Sequence, residues 1–304
     1  MGTAAVEELL GRCTFPAPGT VLVCAVSGGA DSLALLALAC SAGTAVTAVH
    51  VDHGMRAGSA AEAEVVAAAA ARFGAAFAAR RAPVGAGANL EARARAARRA
   101  VLGPDAATGH TMDDQAETVL LNLLRGAGTS GLAGMRPGRR HPLLGLRRSE
   151  TRALCAALGL DPVEDPTNAE RRFRRNRVRQ DLLPLCSEVA GRDMVPVLAR
   201  QAGLCASESD LLDELAAGID AADAATLAEA PPALARRAAR RWLRRDGPHP
   251  PDLAAVERVL AVARGGLRAT DVAPGVRVRR SRGRLSLDPV EAGAPVVVSA
   301  ADGR

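Results

Sequence analysis

Val21-Leu22-Val23-Cys24-Ala25-Val26 runs directly into Ser27-Gly28-Gly29-Ala30-Asp31-Ser32, and then into Leu33-Ala34-Leu35-Leu36-Ala37-Leu38-Ala39-Cys40. A short apolar run, a two-glycine turn and a longer apolar run read as a buried strand, a tight loop and a buried helix. Two glycines let the backbone come close to a phosphate, while the unpaired N–H groups and positive dipole end of the helix bind its charge. Ser27, Gly28, Gly29, Ala30, Asp31 and Ser32 therefore form an expected anion cradle. It is not a Walker A loop, because no Lys-Ser/Thr follows the glycines, nor a G-x-G-x-x-G dinucleotide turn. Asp31 has two readings: a helix-start acid with Ser32 as cap, or a Mg²⁺ ligand bridging to the phosphates. Strand, loop order and helix together favour the phosphate reading.

Outward from this stretch, apolar runs alternate with helical patterns as far as Pro166: TAVTAVHV then SAAEAEVVAAAAARFG, AAFAARRAPV then NLEARARAARRAVL, DAATGH then DDQAETVLLNLL. That order predicts an α/β fold with a doubly wound parallel sheet, whose ligand sites lie beyond the carboxyl ends of the strands. After Pro184 the pattern becomes helical, through LLDELAAGI and ALARRAARRWLRR, with a break at Pro248, Pro250 and Pro251. A second, smaller, mainly helical domain is expected over 191–304, following a first domain over 1–190. Val276 and Val278 alternate with arginines, and Leu285 and Leu287 follow a Ser-Arg-Gly turn, which predicts a terminal β-hairpin.

At about 150 residues per domain, 304 residues suit two full-sized cores, and 48% hydrophobic with 24% charged residues is an ordinary globular balance. The formal charge of +6 favours a polyanionic partner without distinguishing nucleic acid from nucleotide. All 39 basic residues are arginine, Tyr is absent and Ile219 is the single isoleucine, as a GC-rich coding bias would produce. Only clustered arginines therefore count as a nucleic-acid signal. Cys13, Cys24, Cys40, Cys155, Cys186 and Cys205 form no C-x-x-C pair, which argues against a structural metal or iron–sulfur site. Glu7 and Glu8 stand where a signal peptide is basic, and no apolar run approaches the ~20 residues of a membrane span, so a cytoplasmic protein is expected.

Further motifs follow in order: Val51-Asp52-His53-Gly54-Met55-Arg56; Gly109-His110-Thr111-Met112-Asp113-Asp114-Gln115-Ala116-Glu117-Thr118; Arg125-Gly126-Ala127-Gly128; Pro142-Leu143-Leu144; Asp165-Pro166-Thr167-Asn168; and Arg175-Asn176-Arg177-Val178-Arg179. With the Ser27–Ser32 loop, this ordered set over about residues 21 to 184 resembles the PP-loop ATP pyrophosphatase superfamily and, within it, the tRNA(Ile)-lysidine synthetases. The chain departs from that pattern at His141, where Arg is usual, at Thr167 for Ser, and at Phe173 and Arg99 for Tyr. The resemblance implies an ATP-dependent ligation of free L-lysine to C2 of the wobble cytidine of isoleucine tRNA with a CAU anticodon. An adenylated cytidine would be the intermediate, AMP and pyrophosphate the products, and the tRNA would then read AUA instead of AUG and carry isoleucine. It implies ATP and Mg²⁺, with the Ser27–Ser32 loop, Val51 and Gly109 at the nucleotide and Asp31 at the metal. Asp31, His110, Asp114 and Glu117 would be catalytic, and Arg95, Arg175, Asn176 and Arg179 would bind substrate or tRNA. No membrane is involved, a homodimer is left open, and the extra C-terminal domain of some members has little room after the hairpin.

Each motif also has a plainer reading. Thr111 could cap a helix on which Asp113 and Asp114 are dipole partners. Asp114 and Glu117 share a face beside His110, and three such groups at a strand's carboxyl end favour acid–base work. Glu91 and Arg95 could be a surface i,i+4 pair, with Arg98 on a solvated face. Arg171 to Arg179 could be a solvated helix face, yet with the arginines around Trp242 and in the hairpin it favours an RNA surface working through phosphates. Two other functions compete: a PP-loop cytidine thiolase, which commonly needs the paired cysteines missing here, and a non-catalytic RNA-binding ATP sensor.

Overall fold

The computed structural model describes residues 2–52, 59–83, 90–164, 170–244 and 251–289; the side chains at 2–5, 59–61, 90–92, 94 and 95 are outside that set. The His53–Arg56 and Asp165–Asn168 motifs, Pro248, Pro250, and the side chains of Glu91 and Arg95 thus lie outside the described residues. Two compact units are present, Met1–Ala206 and Ser207–Arg304.

In the first unit a short helix α1 (Gly2–Leu10) precedes β1 (Val21–Ala25), α2 (Ala30–Ser41), β2 (Ala45–Asp52), α3 (Ser59–Arg72), β3 (Ala76–Arg81), α4 (Leu90–Leu102), β4 (Ala107–Thr108) and α5 (Met112–Leu124). Each alternating apolar run of the sequence is a strand, and all pair in parallel, in the order β3-β2-β1-β4. The chain moves one way from β1 through β2 to β3, then crosses back to place β4 on the other side of β1. That reversal opens a crevice between the carboxyl ends of β1 and β4, the position at which such sheets bind ligands. The loops leaving these two strands carry Ser27–Ser32 and Gly109–Glu117.

Helix α2 anchors this arrangement. Ser32 through Ala39 are all buried, because LALLALA offers an apolar side chain at every position and the helix has no polar face to turn outward. Leu22, Cys24 and Val26 of the β1 segment pack with Leu33, Leu35, Leu36 and Leu38 in the main core, with Val46, Ala48, Val66, Leu143, Leu146 and Leu154 around them. Gly109 lets the loop after β4 reach the first turn of α2: a Cβ there would lie 2.5 Å from the Asp31 carbonyl oxygen.

Beyond α5 come α6 (Thr129–Leu132), α7 (Arg148–Ala157), α8 (Arg174–Arg177), a π-helical turn at Val178–Leu182, α9 (Leu183–Ala190) and α10 (Met194–Ala217). The division between the units falls inside α10, so the change of pattern after Pro184 marks where strand–helix alternation has ended. Among the described residues no helix is long and apolar enough to cross a membrane.

The second unit holds α11 (Ala224–Glu229), α12 (Pro232–Leu243), α13 (Leu253–Ala263), β5 (Ala269–Ala273), β6 (Val276–Ser281) and β7 (Arg284–Pro289). Asp223 and Asp252 cap α11 and α13, accepting from Thr226 N at 2.7 Å and Ala255 N at 2.7 Å. The expected hairpin is present, with Val278 opposite Leu287 and a turn in which both Arg282 (φ 48°) and Gly283 (φ 78°) are left-handed. It is one part of a three-stranded antiparallel sheet, β5-β6-β7. Ala269-Thr270-Asp271-Val272-Ala273 was not expected as a strand, since it carries one large apolar residue and a bulge between Asp271 and Ala273. Arg241 Nη2 donates to the Ala216 carbonyl (2.8 Å) near the end of α10, and Arg280 Nη1 to that of Ala263 (2.7 Å) at the end of α13. Two arginines of the segments expected to face RNA thus serve helix C-termini.

Gly109→Ala is expected to destabilise the protein by about 1–3 kcal/mol in urea denaturation, the usual cost of forcing atoms into a packed contact. Gly203→Ala, where a Cβ meets nothing within 4 Å inside α10, is expected to change it by less than about 1 kcal/mol.

Candidate active site

The Ser27–Ser32 loop is built for close approach. Gly28 has φ +89°, and its carbonyl accepts from Val163 N (3.0 Å), which fixes the loop from outside. Ser32 Oγ donates to the Gly29 carbonyl (2.8 Å) and accepts from Ser27 N (3.1 Å), closing the loop over the start of α2. Ala30 and Asp31 occupy the first turn of α2, where N–H groups have no intrahelical carbonyl within reach. Asp31 Oδ1 accepts from Thr151 Oγ1 (2.5 Å), and its Oδ2 lies 3.5 Å from Arg148 Nε. Burial raises the Asp31 carboxyl above its ordinary range, against the lowering effect of Thr151 and Arg148.

Helix α5 begins with the expected cap. Thr111 N (2.9 Å) and Oγ1 (3.0 Å) both donate to Asp114 Oδ2, so Asp114 is the acidic end of a capping box. Asp113 turns to α7, accepting from Arg148 N (2.8 Å), Arg147 Nε (3.2 Å) and Arg147 Nη2 (3.3 Å). It joins α5 to the start of α7.

Glu117 is 0% exposed and held by three guanidiniums. Arg175 Nε donates to Oε2 (2.8 Å), Arg179 Nε to Oε1 (2.7 Å) and Nη2 to Oε2 (3.2 Å), and Arg148 Nη1 and Nη2 both to Oε1 (3.2 Å). Asp114 Oδ1 shares two of them, accepting from Arg148 Nη2 (3.0 Å) and Arg175 Nη2 (3.1 Å). Burial alone would raise the Asp114 carboxyl; Arg148, Arg175 and His110, with the Thr111 N–H, instead hold it at about 2. Arg148 touches Asp31, Asp114 and Glu117 at once, linking the loop after β1 to the helix after β4.

The basic run divides by direction. Arg175 and Arg179, four apart across α8 and the π turn, face inward to Glu117. Asn176 is buried and its Nδ2 donates to the Glu170 carbonyl (2.9 Å), bracing the turn. Arg171, Arg172, Arg174 and Arg177 are exposed; Arg171 pairs with Asp181, Arg172 with Glu170, and the Arg172 guanidinium stacks 4.9 Å over the Phe173 ring. π turns of this kind recur at functional sites, and this one carries Arg179, with Arg175 on the helix just before it.

The remaining expected residues are placed as follows. His110 Nδ1 lies 2.6 Å from Thr108 Oγ1 at the end of β4, and its ring meets that of His141 edge-on at 5.1 Å between centroids. Val51 is half-buried near the end of β2, opposite Arg80 of β3. Gly109 supplies close packing against the Asp31 backbone. Arg95 lies on α4 with its side chain outside the described residues. Sequence reading missed Arg148 and Thr151. A signal existed for the first: Arg147-Arg148 at a helix N-terminus stands on the wrong side of the dipole and calls for carboxylate partners. It also missed His50, buried with Nδ1 3.2 Å from the Val26 carbonyl, which nothing in TAVTAVHV marks. Among the described residues no cluster of three or more His, Cys, Asp or Glu could hold a metal by itself. Asp31 beside a phosphate-binding loop still fits Mg²⁺, which is commonly held by one or two carboxylates together with substrate phosphates.

A family model described as a PP-loop domain matches residues 4–186, and one described as a TilS substrate binding domain matches residues 223–286. The tRNA(Ile)-lysidine synthase of Nocardia farcinica is 45% identical over 297 residues, covering 90% of this chain and 93% of its own. That of Rhodococcus erythropolis is 42% identical over 299 residues, covering 89% and 90%. Among solved structures, the U34-tRNA thiolase NcsA of Methanococcus maripaludis superposes with a TM-score of 0.54 at 17% identity, covering 66% of this chain and 79% of its own, which is a likeness of fold.

The folded Asp114 carboxyl lies below its unfolded value, so its contribution to stability is present above about pH 4 and is lost as pH falls toward about 2. In acid denaturation followed by circular dichroism, Asp114→Asn is expected to flatten this part of the stability–pH curve; an unchanged slope would contradict the assignment.

Proposed function

The chain belongs to the tRNA(Ile)-lysidine synthase family, and we infer from this that it is an ATP-using ligase that modifies tRNA, joining free L-lysine to C2 of the wobble cytidine in isoleucine tRNA with a CAU anticodon. The observation that carries the reading is the convergence, at the switch between β1 and β4, of the phosphate-binding loop, Asp31, and the His110–Asp114–Glu117 group through one arginine, Arg148.

The C2 oxygen of cytosine is a poor leaving group, so ATP first transfers AMP to it and releases pyrophosphate; the ε-amine of lysine then attacks C2 and AMP departs. Ser27, Gly28, Gly29, Ala30 and Ser32 hold the phosphates, with Val51 and Gly109 lining the nucleotide side. Asp31 is the residue that would hold Mg²⁺, which supplies charge neutralisation during phosphoryl-type transfer. An amine of pKa about 10.4 must lose a proton to attack. A carboxyl held at about 2, as Asp114 is, is too weak a base, and Glu117 already accepts from three guanidiniums. His110 is therefore assigned as the base, with Asp114 and Glu117 orienting the site. Arg175 and Arg179 engage the carboxylates through Nε and Nη2 and are retained as contacts for an anionic substrate group. Asn176 keeps their turn in place, Arg95 is retained as a substrate contact, and Arg171, Arg172, Arg174 and Arg177 meet tRNA phosphates. Residues 1–190 carry the catalysis and 191–304 hold the tRNA body, in the cytoplasm; a homodimer is compatible with this scheme.

Purified protein with ATP and Mg²⁺ is expected to release pyrophosphate only when unmodified CAU-anticodon tRNA is present, and to add a lysine-sized mass to cytidine only when lysine is added. Asp31→Ala is expected to abolish both. ATP binding without pyrophosphate release under all these conditions would favour the ATP-sensing RNA-binding alternative.

A further inference from the structure

Thr108 Oγ1 is at the centre of a small polar cluster beside the site. It lies 2.6 Å from His110 Nδ1, 2.9 Å from His141 Nδ1 and 3.1 Å from the Arg140 carbonyl oxygen. A hydroxyl carries one hydrogen and two lone pairs, and a carbonyl only accepts. One assignment alone makes all three contacts hydrogen bonds: the hydroxyl donates to Arg140 O, and each ring donates an Nδ1–H to a hydroxyl lone pair. If the hydroxyl hydrogen went to either ring, the Arg140 contact would oppose two acceptors.

The surroundings hold this arrangement rigid. Thr108 N also donates to Arg140 O (2.9 Å), so carbonyl and hydroxyl are locked by a two-point contact. Residues 138–141 form a turn in which His141 N donates to the Gly138 carbonyl (2.9 Å), Gly138 N donates to Thr14 Oγ1 (2.8 Å), and Leu143 and Leu146 are fully buried just beyond. Burial, with Arg140 adding to it, keeps the His141 imidazole below its ordinary range, so near neutral pH it has a single N–H to offer. Charged neighbours among the described residues include Arg140 on the His141 side and Asp114 on the His110 side.

We propose that Thr108, its hydroxyl aimed by His141 and the Arg140 carbonyl, is a positioning residue that holds His110 as the Nδ1–H tautomer and so makes Nε2 the proton-accepting atom. The tautomer is argued from the three contacts of the Thr108 hydroxyl, whereas its part in catalysis rests on the assignment of His110 as base. Thr108→Val keeps the shape and removes the hydroxyl; Thr108→Ser restores it. His141→Gln removes the second ring.

The test is ¹⁵N spectroscopy of histidine-labelled protein at pH 8, with the His110 and His141 signals assigned by their loss in His110→Asn and His141→Asn. In the unmodified sequence both rings are expected in the Nδ1–H form. Thr108→Val is expected to move His110 toward the Nε2–H form, and Thr108→Ser to retain Nδ1–H. Lysine transfer onto pre-adenylated tRNA is expected to fall in kcat by at least about 10-fold in Thr108→Val, with KM for lysine little changed and recovery in Thr108→Ser. An Nε2–H ring at His110 in the unmodified sequence overturns the proposal, whatever the activity. Should Thr108→Val be poorly folded, the unmodified spectrum and His141→Gln still decide: a His110 tautomer unchanged in His141→Gln, with unchanged pH dependence of transfer, removes His141 from the device. If the tautomers are as expected but no lysine is transferred by any form, the assignment of His110 as base fails while the positioning stands.

Discussion

One buried carboxylate fixes the geometry of the site. Glu117 has no exposed surface, and an ionised group taken from water is costly unless its attraction to opposite charge and its hydrogen bonds are both satisfied. Arg148, Arg175 and Arg179 meet that requirement from separate elements, the first at the start of α7, the others on α8 and the π turn that follows it. Each of these segments is thereby tied to α5 through Glu117. Arg148 extends the tie to Asp31, so the Ser27–Ser32 loop and the acidic helix are set relative to each other by one planar side chain. Asp113, accepting from the Arg147 side chain and Arg148 backbone, repeats the attachment one turn away.

The arginine-only basic composition has a structural consequence here. A guanidinium offers N–H groups in a rigid fork, is always charged, and can bridge several acceptors at once; an ammonium on a flexible stem could not hold Asp31, Asp114 and Glu117 together. The same property is used at helix ends by Arg241 and Arg280. Part of the positive charge is thus internal architecture, while Arg171, Arg172, Arg174 and Arg177 of the same basic run face outward.

What could be read in the sequence is what local pattern controls. The parallel sheet followed from apolar runs separated by helical periods, and the tight turn at Gly28 from glycines at a strand–helix junction. The Thr111–Asp114 capping box and the Arg282-Gly283 turn are likewise local devices. Arg148 was invisible to that reading, since its partners lie 31 and 34 residues away along the chain and nothing in periodicity records such a pairing. The direction of Arg175 and Arg179 was hidden for the same reason: a charge run looks the same whether it faces solvent or a buried glutamate. The strand β5 was missed because its place in the sheet comes from pairing with β6, against the weak strand preference of Ala-Thr-Asp-Val-Ala.

The central claim is that Arg148 and Glu117 act as one buried unit on which the site is assembled. A double-mutant cycle in urea denaturation, with Arg148→Met, Glu117→Gln and the pair, measures this directly. Each single change is expected to cost about 3 kcal/mol, because it unbalances a buried cluster of opposite charges, and the double variant is expected to be less destabilised than the sum by ~2 kcal/mol or more. Additivity within about 0.5 kcal/mol would contradict the account and make the cluster a set of independent surface-like pairs.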